Sequence, residues 1–231
     1  MALDNNNNEE SQWIHISDLM SVLMMVFLFI AISYMFVVKK QFNKIKEIAV
    51  TYNKLQDDLY DKLHEEFKND LEKWNAEIDS TTISVKFKSP EVLFGAGQAQ
   101  LKPEFKEILS DFIPRYLKII TDTTYINDIE EIKIEGHTSS EGKAGMNKDE
   151  SYIYNMNLSQ RRAFSTFNYI YSNLTPNIQK DWVMKHLTAT GLSFSRIKLD
   201  SSGIENRSQS RRVEFRIKTN AEQRMVKILN Q

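Results

Sequence analysis

The stretch LMSVLMMVFLFIAISYMFVV, residues 19–38, contains 20 residues and no charged side chain. As an α-helix that rises about 1.5 Å per residue, it would cover about 30 Å, the thickness of the hydrocarbon core of a bilayer. A cleaved signal peptide would need a basic segment before this run and a small-residue cleavage site after it, and both are missing. We therefore predict an uncleaved transmembrane helix over 13–38, with Trp13 and Tyr34 at the two interfaces.

A single carboxylate, that of Asp18, lies directly before the apolar run. Asp18 or Ser17 could be an ordinary N-cap, because a side-chain oxygen there accepts hydrogen bonds from the first turn of a helix. Two features favour an ion carrier instead. Trp13 places Asp18 more than one turn inside the expected interface, and Ser21 at i+3 extends a short polar stripe. A carboxylate within a membrane costs about 2.5–3.5 kcal/mol and is usually retained against a partner or a water-filled path.

Residues 39–79 are rich in charge and lack Pro and Gly. Their apolar residues recur at spacings of three and four, which is typical of a helix with one apolar stripe. The stripe could pair two copies of the chain as a coiled coil, or it could pack on the chain's own domain. It consists of Phe42, Ile45, Ile48, Tyr52, Leu55, Leu59, Leu63, Phe67, Leu71, Trp74 and Ile78.

The C-terminal part of the chain changes to alternating strand and helix patterns. The alternation of apolar and polar residues predicts strands at 81–88, 130–138, 188–191 and 211–218. Helices are predicted from Pro103, with Pro114 bending or ending the first, and over 157–174. The order β-α-β-α-β-β is typical of an α+β sandwich with helices on one face of a mixed sheet.

Composition excludes several classes of function. The net charge of −1 provides no basic field for nucleic acid. Cysteine is absent, and the four histidines show no metal-ligand spacing, so we predict no metal and no cofactor. Because no P-loop, nucleophile elbow or metal motif is present, we also predict that the protein is not an enzyme. The histidines are His15, His64, His137 and His186.

Four ordered motifs resemble the OmpA-like peptidoglycan-binding domain over residues 81–219: VLFGAGQAQLKPEF, IKIEGHTSSEG, YNMNLSQRRA and NRSQSRRVEF. The resemblance implies a pocket for the diaminopimelate branch of peptidoglycan. The implied lining residues are Tyr154, Asn155, Leu158, Arg162, Thr138 and Ser139.

The chemistry of these residues suits that ligand. Arg162 can bind a carboxylate with two parallel hydrogen bonds, Asn155 offers a donor and an acceptor, and Leu158 lies on the same helix face as Arg162. The family usually has Asp after the GHT motif, where it meets the ammonium group of the ligand. This chain has Ser139 there, and Glu141 is near enough in sequence to substitute.

A membrane carboxylate followed by an OmpA-like domain resembles the MotB stator family. The segments WIHISDLMSVLMMVFLFIAI and EGHTSSEG resemble the ZorB family, the MotB-like subunits of Zorya anti-phage defence systems. The resemblance implies an inner-membrane motor in which Asp18 carries protons. It further implies two copies of the chain inside a pentamer of a ZorA-type partner. A flagellar stator and a passive tether between membrane and cell wall are the alternatives.

The prediction of membrane orientation depends on the nature of the C-terminal domain and not on the positive charges beside the apolar run. Lys39, Lys40, Lys44 and Lys46 follow the apolar run and would place that side in the cytoplasm, whereas a cell-wall binder belongs in the periplasm. We therefore predict a periplasmic C-terminal domain. The predicted parts are a cytoplasmic tail (1–12), the transmembrane helix (13–38), the connector (39–79), the OmpA-like domain (80–219) and a helical C-terminal tail (220–231).

Overall fold

The computed structural model describes residues 5–88, 90–174 and 180–220. The elements in chain order are helix α1 (Asn5–Phe67), strands β1 (Ala76–Asp79) and β2 (Ser84–Phe87), helices α2 (Pro90–Leu93) and α3 (Pro103–Ile120), strand β3 (Ile129–His137), helices α4 (Lys148–Asn173) and α5 (Lys180–His186), strand β4 (Leu187–Gly191), helix α6 (Arg207–Ser210) and strand β5 (Arg212–Thr219). The predicted helical tail lies outside the described residues, except for Asn220.

The chain divides into two compact units, and the apolar run belongs to the first of them, Met1–Val50. Every residue of 19–38 is helical and exposed. Within the described part of the chain, α1 is the one helix that is long and apolar enough to cross a membrane, with a mean hydropathy of 2.6 in its most apolar window. A helix that is apolar on all sides and buried by nothing in its own chain is typical of a membrane span.

The helix predicted over 39–79 ends earlier, at Phe67, and its last part was predicted wrongly. The chain turns after Phe67, passes through Asn75 with a positive φ of 48°, and then forms the edge strand β1. Leu71 and Trp74 continue the helical spacing of the apolar residues although they lie in the turn, where both pack against the domain core. Periodicity by itself therefore could not separate this turn from a continuing helix.

The second half of the apolar stripe packs on the chain's own domain. Leu59, Leu63 and Phe67 have no exposed surface, and Leu55 packs against the same core. Arg115 of α3 fixes this end of α1, since its Nε lies 2.7 Å from a carboxylate oxygen of Glu66. A coiled coil through residues 59–67 is therefore excluded.

The sheet has the order β1-β2-β5-β3-β4. Only β3 and β4 pair in parallel, and the other three neighbouring pairs are antiparallel. The α+β class, with helices and a mixed sheet, is confirmed. Strand β1 is an addition to the predicted order, and α3 continues through Pro114 to Ile120 instead of ending there.

An aromatic cluster fills the core between the sheet and the helices. Phe112 of α3 lies at its centre, with its ring 5.2 Å from that of Phe215 on β5. Buried aromatic side chains contribute large apolar areas, and tilted or edge-to-face pairs add about 0.5–1.5 kcal/mol each. The rings within 6.1 Å of Phe112 belong to Phe67, Trp74, Phe87, Tyr116 and Phe215.

A candidate ligand cleft beside the end of β3

A cleft of about 450 Å³ opens where β3 ends. The segment after β3, the first turns of α4 and the loop after α2 form its walls. All six residues implied by the motifs lie in this lining. The full lining is Phe94, Gly95, Ala96, Gly97, Thr138, Ser139, Glu141, Gly142, Lys143, Tyr154, Asn155, Leu158, Arg162 and Arg211.

Two local features of the sequence bring these walls together. Helix α4 starts at Lys148, before the predicted start at 157, because Asn147 and Glu150 form a reciprocal capping box. Tyr154 and Asn155 therefore lie on a helix rather than in a loop. Gly136 on β3 allows the close approach of α4, since a Cβ there would lie 2.3 Å from the backbone oxygen of Ser159.

Arg162 fixes one wall of the cleft. Its side chain is 5% exposed, and its Nε donates to the backbone oxygen of Gln98 at 2.9 Å. A terminal nitrogen lies 3.4 Å from the backbone oxygen of Gly95, and the guanidinium carbon lies 5.0 Å from the ring centroid of Phe94. These contacts position the loop, and the role of Arg162 as a carboxylate ligand stays a prediction.

Two buried polar side chains lie deeper in the cleft. The Nδ2 of Asn155 donates to the backbone oxygen of Glu141 at 3.0 Å, which ties α4 to the loop after β3. The Thr138 hydroxyl is buried and has no hydrogen-bond partner within the described residues. Because an unsatisfied buried polar group costs about 1–3 kcal/mol, this hydroxyl is suited to a ligand that supplies a partner.

Charges of both signs surround the opening. The Glu141 carboxylate lies 3.5 Å from Arg207 and 3.8 Å from Arg211, and its side chain is half exposed. Lys143 places its Nζ 4.8 Å from the ring centroid of Tyr154. The cleft therefore offers an anion and several cations, which suits a ligand that carries both an ammonium group and carboxylates. The sequence motifs do not single out Phe94, Lys143 or Arg211 as lining residues.

A buried charge network lies at the end of β3. The Nε2 of His137 is 3.4 Å from a carboxylate oxygen of Glu135 and 3.7 Å from one of Glu214. Burial lowers the pKa of His137, as does Arg212, against the opposing effect of the two carboxylates. Although these three ligand atoms are close enough for a metal, Glu135 pairs with Arg196 at 3.2 Å and Glu214 pairs with Arg212. A cation would have to displace arginines that already neutralise the carboxylates.

His137 is the last residue of β3, and neither of its ring nitrogens has a hydrogen-bond partner among the residues that the structure describes.

Asp18 lies inside α1 rather than at its start. The helix begins at Asn5, so the N-cap reading of Ser17 and Asp18 is wrong. Ser21 donates from its hydroxyl to the backbone oxygen of Ser17 at 2.9 Å, one turn earlier. This bond satisfies the Ser21 hydroxyl within the helix, whereas Asp18 is exposed.

Comparison with known proteins identifies two curated relatives. The chain is 44% identical over 229 residues to the Zorya protein ZorB of Escherichia coli strain Crooks, covering 99% of this chain and 97% of that protein. It is 26% identical over 221 residues to the Zorya protein ZorB of Escherichia coli O139:H28, covering 90% and 80%. No protein-family model matches.

Among solved structures, a MotB-like protein from Desulfovibrio vulgaris is similar with a TM-score of 0.52. The sequence identity is 23%, and the similarity covers 75% of this chain and 94% of that one. This similarity shows a common fold.

Proposed function

The chain belongs to the ZorB family of Zorya proteins, and from that premise we propose that it is the MotB-like subunit of a proton-driven membrane motor anchored to peptidoglycan, acting in anti-phage defence. Peptidoglycan anchoring is supported by the cleft, because two separate segments, the one after β3 and helix α4, bring all six residues implied by the motifs into one lining. The motor half rests on Asp18, a carboxylate within an exposed apolar helix that needs no cap at that point.

The ligand of the cleft is the diaminopimelate-containing stem peptide. The Thr138 hydroxyl supplies a buried donor or acceptor, and Arg162, Arg211 and Lys143 provide positive charge for carboxylates. Glu141 takes the part of the aspartate that the OmpA-like family usually has where this chain has Ser139. Its half-exposed carboxylate lines the cleft and can receive the ligand ammonium.

The helix of residues 13–38 crosses the inner membrane once, with the N-terminus in the cytoplasm and the C-terminal domain in the periplasm. Two copies lie within a pentamer of a ZorA-type partner, where Asp18 of each faces the partner and exchanges protons. A proton that crosses about 100 mV releases about 2.3 kcal/mol, which is enough to bias a conformational step. The parts are those of the sequence division (1–12, 13–38, 39–79, 80–219 and 220–231), with the connector helix ending at Phe67.

The motor is tested by Asp18→Asn in cells that carry the complete operon, with Asp18→Glu as the control. Asn is nearly isosteric with Asp but cannot carry a proton, so phage plaque counts should rise to those of unprotected cells. A pull-down must show that the partner complex still assembles. Full protection by the Asn variant in an assembled complex would leave only a passive tether between membrane and cell wall.

The anchor is tested by sedimentation of the detergent-purified full chain with peptidoglycan sacculi. Tyr154→Ala should lower the bound fraction strongly, because this ring forms a wall of the cleft. Ile153→Ala is the matched control, since Ile153 is the preceding residue of α4 and is 70% exposed outside the cleft. Equal binding by both variants and the unaltered chain would rule out the cleft as the peptidoglycan site.

A further inference from the structure

We propose that a second groove beside the cleft binds the glycan strand of peptidoglycan, with Phe164 as the platform under one sugar ring. The inference rests on the proposed function, because the cleft would hold the peptide that is attached to that glycan. The groove has a volume of about 600 Å³ and belongs entirely to the C-terminal unit. It is lined by Gly97, Gln98, Ala99, Gln100, Arg161, Phe164 and Ser165.

The Phe164 ring is exposed but supported from within the same helix. Its side chain is 57% exposed, although phenylalanine is among the residues most often buried. The ring stacks on Phe167 with centroids 6.3 Å apart, and Phe167 stacks in turn on Tyr171 at 5.9 Å and 8°. These three residues follow one another along one face of α4. The ladder therefore fixes an apolar surface in place without covering it.

Polar residues line the same groove as this ring. Gln98, Gln100 and Arg161 are exposed, and Ser165 is also part of the lining. A pyranose ring has an apolar C–H face, which packs on an aromatic ring, and a rim of hydroxyl and acetamido groups. Amides, hydroxyls and guanidinium groups can exchange hydrogen bonds with that rim while the ring contacts the C–H face.

The groove and the cleft share a wall, which is the loop of residues 95–98. Gly97 lines both, and its positive φ of 65° favours glycine. A Cβ at Gly97 would lie 3.3 Å from the Tyr154 hydroxyl, so the loop lies directly against the cleft residue. Arg162 holds the loop from α4, and the adjacent Arg161 lines the groove.

A ligand with a sugar and a peptide joined covalently can occupy both sites across this single loop. Peptidoglycan has that chemistry, because each stem peptide is attached to a sugar of the glycan strand. The cleft and the groove together would therefore bind the junction between sugar and peptide rather than the peptide alone.

The test measures the affinity of the detergent-purified full chain for two probes: intact sacculi, and stem peptides released from the glycan by an amidase. Phe164→Ala should weaken sacculus binding by about tenfold, the scale of one well-packed aromatic contact, and leave peptide binding unchanged. Phe164→Tyr keeps the ring and should retain binding. Ile153→Ala controls for the loss of an exposed apolar side chain on α4.

Any other result would refute the role of Phe164 as a platform for a sugar ring. Sacculus binding by Phe164→Ala that equals that of the unaltered chain would show that no sugar rests on the ring. Equal weakening with both probes would show that the change disturbs the cleft. A loss of self-association without loss of sacculus binding would assign the ring to contact with a second copy. If the proposed peptidoglycan binding itself were wrong, the result would differ from all of these, because the unaltered chain and Tyr154→Ala would bind sacculi equally poorly.

Discussion

Replacing Arg162 by alanine should destabilise the C-terminal domain and weaken peptidoglycan binding together, because the same contacts serve both. The Nε of Arg162 donates to the Gln98 backbone oxygen at 2.9 Å, and a hydrogen bond from a charged donor contributes about 1.5–3 kcal/mol. The longer contact to Gly95, 3.4 Å, contributes little. Stacking on Phe94 adds about 0.5–1 kcal/mol. The expected loss is therefore about 2–4 kcal/mol.

Thermal unfolding of the full chain in detergent, followed by intrinsic tryptophan fluorescence, would measure this loss. A domain of this size changes its Tm by about 2–4 °C per kcal/mol, so a decrease of about 5–15 °C is expected. Arg161→Ala is the control for stability, because Arg161 is exposed and should change the Tm by no more than about 2 °C. Sedimentation with sacculi below the lower Tm should also show weaker binding by Arg162→Ala.

A change in Tm of less than about 2 °C would refute the positioning role assigned to Arg162. Unchanged sacculus binding would separately remove Arg162 from the site. If stability were kept while binding was lost, Arg162 would act as a direct ligand of a carboxylate, as the motif resemblance implies. The two measurements therefore distinguish a residue that positions the loop of the cleft from a residue that binds the ligand.

Three further predictions concern the core, an ion pair and the cleft. Leu63→Ala should destabilise the domain by about 2–5 kcal/mol in chemical unfolding, because Leu63 is fully buried, whereas Val50→Ala at an exposed position of α1 should change stability by less than about 0.5 kcal/mol. Burial by itself would raise the pKa of the Asp79 carboxyl. The hydrogen bond that Lys86 donates to this carboxylate outweighs burial and lowers the pKa of Asp79 to about 2. The ionised form therefore stabilises the fold above pH 4, and this contribution is lost as the pH falls towards 2. Asp79→Asn should make the free energy of unfolding depend less steeply on pH in this range. Glu141→Gln should weaken binding of the stem peptide in calorimetry without lowering the Tm, and unchanged affinity would exclude Glu141 as the ammonium ligand.

The sequence predicted the elements whose signals are local. The uncharged run of 19–38 is sufficient to predict its helix, and alternation predicts β2, β3 and β5 near their observed positions. Strand β1 was missed because its four residues continue the spacing of the preceding helix. The early start of α4 had a signal that was overlooked, since Asn147 and Glu150 have the capping-box spacing.

The site was predictable where motifs fixed it and not where contacts depend on folding. Thr138, Asn155 and Arg162 line the cleft because Thr138 directly follows β3 and the other two lie on α4, which packs against β3. The partner of Arg162 is a backbone oxygen 64 residues away, and no pattern in the sequence indicates such a contact. The unsatisfied hydroxyl of Thr138 is also a property of packing, which only the folded arrangement reveals.

The packing of α1 limits how two copies can meet. A coiled coil needs an apolar stripe sustained over at least three or four heptads. Leu59, Leu63 and Phe67 are buried in the chain's own domain, so the stripe available to a second copy runs from Phe42 to about Tyr52, less than two heptads. Such a short stripe cannot hold two chains together in water by itself. A homodimer therefore needs contacts beyond this stripe, and enclosure of both apolar helices by the proposed pentamer would hold the two copies together.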